Sequence, residues 1–174
     1  MAESLRGKLL IAAPSLFDFF RRTAVLIVEH GEEGAFGVVL NRAAETTVRE
    51  AIPTLSEIAG EEEPVRIGGP VATESVVVLG SFEDPAASPK PVVGDLGVVD
   101  PSDTAGVTRA RVYAGHSGWS PGQLESEMER EAWLLEDAAP EDPFLAEDLW
   151  AVALQRRGGE YALLATMPDD PSLN

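Results

Sequence analysis

TAVLIVEHGEEGAFGVVLN, residues 23–41, decides the fold class. Thr23 to Glu29 and Phe36 to Asn41 are apolar runs rich in valine, and His30-Gly31-Glu32-Glu33-Gly34-Ala35 joins them through a short polar loop. β-Branched side chains are stiff about χ1 and pack well on a pleated surface, so both runs are expected as strands. A short connection containing glycine is the form of a hairpin, which makes the pair antiparallel.

Working outward, runs bounded by glycine, proline and charge predict further strands at Lys8 to Ala13, Val65 to Ile67, Ser75 to Ser81 and Arg109 to Gly115. Thr47 to Ile58 places Val48, Ile52 and Leu55 on one helical face, with Pro53 ending or kinking the first segment. Residues 82–95, with Pro85, Pro89 and Pro91, read as a surface loop. Ser120-Pro121-Gly122-Gln123 reads as a capping box opening a helix to about Ala132, with Leu124, Met128 and Leu135 on one face and Glu125, Glu127, Glu129 and Glu131 solvated. A second helix is expected from Asp142-Pro143 to Arg157, stopped by Gly158-Gly159, and a last strand from Tyr161 to Thr166. Strands outnumber helices without alternating regularly with them, so the fold class is α+β rather than a doubly wound sheet. The 174 residues are expected to form one domain.

Composition bounds the chemistry. The chain has no cysteine, which removes disulfides, thiolate metal sites and a cysteine nucleophile and fits a reducing compartment. Thirty acidic against thirteen basic side chains give a net charge of −17, which opposes direct nucleic-acid binding. The charge is uneven: residues 117–150 hold ten carboxylates with only Arg130, so an anion should prefer the N-terminal half. The apolar stretch Leu9 to Pro14 is shorter than the core of an export signal, and no apolar run approaches the roughly 18 residues of a membrane span. A cytoplasmic protein without membrane association is expected.

Gly115-His116-Ser117-Gly118-Trp119 invites comparison with the nucleophile elbow G-x-S-x-G. Gly118 stands one position early, Trp119 holds the last position and no histidine follows Ser117, so a tight turn is expected instead. His30 and His116 are the only histidines, neither with a second ligand at a recognised metal spacing. No catalytic residue, cofactor or metal is therefore assigned. Gly68-Gly69-Pro70 suits close approach of main chain to a ligand and equally a bend in the sheet. Trp119 follows small residues and is expected to be half covered, as a pocket wall or interface anchor, whereas Trp133 and Trp150 default to the core.

The segments LRGKLLIAAPSL, RRTAVLIVEHGEEGAFGVVLNR, IGGPV and YAGHSGWSPGQLESEMEREAWLL together resemble the YqgE/AlgH family, in order and over nearly the whole chain. The resemblance implies coiled, bifurcated, mainly antiparallel β-sheets with flanking C-terminal helices, a bacterial cytoplasmic location and a largely unassigned biochemical function. One branch carries a transcriptional-regulator label, which the resemblance extends to this chain as an expectation. The chain departs from the family pattern at Ala43, where proline is usual, and at Val28, where cysteine is frequent.

Three functional classes follow. The first is a non-enzymatic binding or regulatory domain acting through a protein partner or small ligand, with a rim formed by Asn41, Arg42, Gly68, Gly69, Pro70, His116, Ser117, Gly118 and Trp119. There Arg42 would supply anion-binding charge, His116 a titratable group and Trp119 an apolar wall. The second is an enzyme of undefined class with a polar cleft around Arg42, His116 and Ser117. The third, a DNA-binding regulator, needs Arg21, Arg22, Arg42 and Arg49 gathered on one face.

Overall fold

The fold is taken from a computed structural model, which describes residues 4–14, 16 and 19–166. Its strands are β1 (Lys8–Ala12), β2 (Ala24–Gly31), β3 (Gly34–Val39), β4 (Ala43–Thr47), β5 (Pro64–Ile67), β6 (Val71–Phe82), β7 (Lys90–Val93), β8 (Leu96–Val98), β9 (Val107–Trp119) and β10 (Trp133–Asp137). The helices are α1 (Val48–Ala51), α2 (Ser56–Ala59), α3 (Gln123–Glu129), α4 (Leu149–Arg157) and α5 (Glu160–Leu164). Single 3₁₀ turns lie at Pro53–Leu55, Pro85–Ala87 and Asp142–Phe144. The fold is α+β.

The hairpin predicted over residues 23–41 forms: β2 pairs antiparallel with β3, and Gly31 faces Gly34 across a tip of two glutamates. The sheet runs β10-β1-β2-β3-β9-β6-β8-β7, and it branches at β9. Ser117 to Trp119 of β9 pair with β3, whereas the earlier part of β9 pairs with β6 and, in parallel, with β5, which carries β4 on its other side. The bifurcation comes from one 13-residue strand changing partners along its length.

Burial explains the unalternating apolar runs. Leu9 to Ala12 and Ala24 to Val28 are covered on both faces, and Trp150 of α4 donates its indole N–H to the Ala12 carbonyl at 2.9 Å. A second core gathers Val48, Leu55 and Ala59 from the α1–α2 region against Val65, Val78, Ala110 and Val112 of β5, β6 and β9. α1 is capped by Thr47, whose hydroxyl accepts from the Glu50 amide while the Glu50 carboxylate accepts from the Thr47 amide. Pro53 then opens the 3₁₀ turn, so the Thr47–Ile58 segment is broken as its proline requires.

Several expectations are corrected. The helix from Ser120 shortens to α3, capped by Gly122 at φ 78° without a side-chain bond; the Ser120 hydroxyl donates to Gln123 Oε1 rather than accepting from backbone. The chain leaves the helix through Glu131 at φ 59°, and Trp133 to Asp137 add to the edge of β1, so Leu135 belongs to a strand. The Asp142–Arg157 helix divides, because Leu145 is extended and α4 takes its own cap from Asp148. Asp142 is instead a buried ion-pair partner of Arg156, at 2.8 Å. Tyr161 to Thr166 is not a strand: Glu160–Leu164 forms α5, where alanine and leucine follow their helical propensity and Arg157 lies over the Tyr161 ring. The proline-rich 82–95 segment contributes β7, an edge strand where Pro91 removes no central ladder bond. His116 to Trp119 is not a turn but the end of β9. Among the described residues no helix is long and apolar enough to cross a membrane.

Candidate functional site

Asn41-Arg42, Gly68-Gly69-Pro70 and His116 to Trp119 come together where β3, β5, β6 and β9 meet. The Val39 amide donates to the Gly68 carbonyl at 2.8 Å, the Gly68 amide to Ala114 at 2.8 Å and the Ile67 amide to Arg42 at 2.8 Å. A Cβ on Gly69 would collide with the His116 carbonyl group, and one on Gly68 would stand 2.5 Å from the Gly115 oxygen. Glycine is required there because backbone crosses backbone.

The polar groups of this junction are spent within the protein. Ser117, 0% exposed, donates its hydroxyl to the Gly68 carbonyl at 3.0 Å. Asn41 accepts from the Ala24 amide at 3.0 Å and donates to the Arg22 carbonyl and to Asp148. Arg42 donates to the Phe19 and Arg21 carbonyls and lies over the Phe19 ring, so its planar fork ties the 19–21 segment to the end of β3. His116 packs against Phe36 with ring centroids 4.5 Å apart, and burial holds its pKa below the ordinary value. The second histidine, His30, accepts the Leu5 amide at Nδ1 and turns Nε2 toward Glu125 at 3.6 Å. Among the described residues no three His, Asp or Glu side chains are grouped to hold a metal.

Trp119 differs from its expected half-coverage, being 6% exposed. Its ring nevertheless walls a cavity of about 420 Å³ together with Phe20, Trp133 and Gly118. Phe20 and Trp133 meet edge to face at 5.6 Å, and Trp119 lies 6.3 Å from each of them. One oxygen of Glu127 accepts the Trp119 indole N–H at 3.0 Å and the Trp133 indole N–H at 2.9 Å; its other oxygen accepts from Gln123 at 3.0 Å. Glu127, expected on a solvated face, is thus the polar anchor of the cleft. Phe20 escapes sequence reasoning because the segment between β1 and β2 brings it to Trp119 from about a hundred residues away, and Glu127 because its acidic helix does not mark which glutamate turns inward. Gly118 is open: a Cβ there meets nothing within 4 Å.

A branched α+β sheet with an aromatic cleft against β9 is the architecture these observations define. The chain belongs to the AlgH-like family, whose pattern it matches over residues 9–162. It is 40% identical to a UPF0301 protein of Streptomyces coelicolor, over 99% of this chain and 96% of that one. It is likewise 40% identical to a UPF0301 protein of Mycobacterium tuberculosis, over 97% and 90%. Its fold resembles the crystal structure of a Corynebacterium diphtheriae protein, with a TM-score of 0.86 and 30% identity over 96% of this chain and 94% of that one. It also resembles the solution structure of AlgH from Pseudomonas aeruginosa, with a TM-score of 0.72 and 28% identity over 98% of this chain and 100% of that one. The family has no assigned biochemical function.

Proposed function

We propose that this protein is a non-enzymatic, cytoplasmic binding domain whose small ligand, or a partner's side chain, enters the aromatic cleft at Trp119. The observation that carries the reading is the convergence of Phe20, Trp119 and Trp133 on one cavity, with both indoles fixed by Glu127. Rigid aromatic walls offer contact area at little entropic cost, and hydrogen bonds that lock their rotamers preorganise the site. A regulatory role, including a transcription-related one, would then run through the occupant rather than through DNA.

Charge supports that restriction. Arg42 is committed to two carbonyls, Arg49 pairs with Glu62 at 2.9 Å and Arg22 lies over Trp150, so these arginines do not offer a free basic face. The enzymatic alternative around Arg42, His116 and Ser117 finds no support, because the Ser117 hydroxyl is buried and already donated.

Phe20→Ala tests the reading by removing one aromatic wall of the cleft. Native mass spectrometry of protein purified from its own cytoplasm should find a bound small molecule or partner on the natural chain and none on the folded variant. Equal recovery from both would place the occupant elsewhere.

A further inference from the structure

The face of β9 that carries Tyr113 also carries Arg111 and Arg109, two and four positions away, and the residue parallel to Tyr113 on β5 is Arg66. Three guanidinium groups thus gather on one patch. Arg109 and Arg111 lie over the same Phe144 ring, at 3.9 and 5.1 Å. Among the described residues one carboxylate reaches any of the three: Glu63, 3.6 Å from Arg66 and 3.9 Å from Arg111. Neither separation is a hydrogen bond.

The other protein bonds of these arginines are few. Arg66 donates to the Pro64 carbonyl and Arg111 to the Ala110 carbonyl, each at 3.3 Å, and Arg109 donates to the Ser81 hydroxyl at 3.1 Å. Two polar atoms buried in the same patch have no partner: Arg111 Nε and the Tyr113 hydroxyl. Buried donors are ordinarily satisfied, so two together point to a missing acceptor. Burial also pulls the Arg111 pKa below its ordinary value; Glu63 opposes this and Arg66 reinforces it.

Arg66 belongs as well to the wall of a cavity of about 300 Å³ between residues 40–43 and the 142–149 segment. Two of the carboxylates lining that cavity are occupied, Asp142 by Arg156 and Asp148 by Asn41 and the Trp150 amide. This cavity shares no lining residue with the aromatic cleft, and the inference stands apart from the function proposed there.

We propose that Arg66 and Arg111 form an oxyanion site for a small phosphorylated ligand, whose phosphoryl group displaces Glu63 and whose remainder occupies the cavity walled by Arg66. A carboxylate placed between the two guanidinium groups reaches neither within bonding distance, as Glu63 shows. A phosphate presents more oxygens, more widely spaced and with greater negative charge, and so engages both forks at once. Glu63 is then an internal competitor that balances the patch when the site is empty.

The test is calorimetric titration of the full chain at constant ionic strength with inorganic phosphate, phenyl phosphate and succinate. Saturable phosphate binding is expected, weakened about tenfold by Arg66→Gln and strengthened severalfold by Glu63→Gln. Phenyl phosphate is expected to bind more tightly than phosphate because its ring enters the cavity; equal affinity would overturn the cavity's part in the site and leave a site for free phosphate. Should Arg66→Gln fail to fold, Glu63→Gln decides alone. Phosphate affinity unchanged or weakened in Glu63→Gln, succinate binding as tight as phosphate, or no saturable phosphate binding to either protein would overturn the proposal.

Discussion

Glu127 holds Trp119 through a hydrogen bond of 3.0 Å from the indole nitrogen, and the same carboxylate oxygen accepts from Trp133. Helix α3 is therefore tied to β9 and β10 at one point, inside the cleft. Removing the carboxylate leaves two indole N–H groups without an acceptor, at about 1–3 kcal/mol for each that stays dry. Glu127→Leu should lower the urea midpoint clearly, and Glu127→Gln, which keeps an acceptor, should lower it less. Equal midpoints for the two variants would remove the shared anchor from this account.

Gly69 and Ser117 make a contrasting pair in the strand junction. Gly69→Ala drives a Cβ into the His116 carbonyl group, which is backbone and cannot swing aside, so the expected loss is about 3 kcal/mol or failure to fold. Ser117→Ala removes one hydroxyl bond to the Gly68 carbonyl and should cost about 1 kcal/mol. Chemical denaturation ranks them. A fluorophosphonate should leave Ser117 unlabelled, since its hydroxyl is buried and its proton already donated.

Burial of His116 gives stability a pH dependence of definite sign. The folded state holds its pKa below the ordinary 6.5, so the unfolded chain binds the proton first. Stability from this group is full above about pH 6.5 and is lost as pH falls through the folded value. His116→Phe should flatten that part of the denaturation profile between pH 7 and about pH 5. An unchanged slope in the variant would assign it to other groups.

Two helix starts that look alike in sequence should behave differently. Thr47→Ala removes a side chain that accepts from the Glu50 amide and should cost about 1 kcal/mol. Ser120→Ala removes only a hydroxyl bonded to Gln123 Oε1, because Gly122 occupies the cap, and should change stability by less than about 0.5 kcal/mol. Thermal melts of the two variants compare them directly.

The same contrast marks where sequence was legible. The β2–β3 hairpin could be read because its signal is local: two apolar runs and a loop with glycine. β10 could not, since Trp133-Leu134-Leu135 continues a helical spacing and becomes a strand only by pairing with β1, Leu134 opposite Ile11. α5 was misread because Tyr161 to Thr166 is too short for its period to distinguish helix from strand. At the site, the strand ends around Gly69 and Ser117 were recognisable from small residues that permit close backbone approach. Glu127 was not, because nothing in an acidic helix says which glutamate turns inward. The arginine patch was equally hidden, since it needs the parallel pairing that sets Arg66 beside Tyr113.

Fluorine NMR of the 5-fluorotryptophan-labelled chain shows whether the Trp119 cleft is where this protein meets its ligand or partner. The protein has three tryptophans, and Trp150 serves as an internal control because its indole is bonded to the Ala12 carbonyl and does not line the cleft. On addition of concentrated extract from its own cells, the Trp119 and Trp133 resonances should move together while Trp150 stays, and Phe20→Ala should abolish the movement. Resonances that all remain in place, or cleft signals that move equally in Phe20→Ala, would contradict the account.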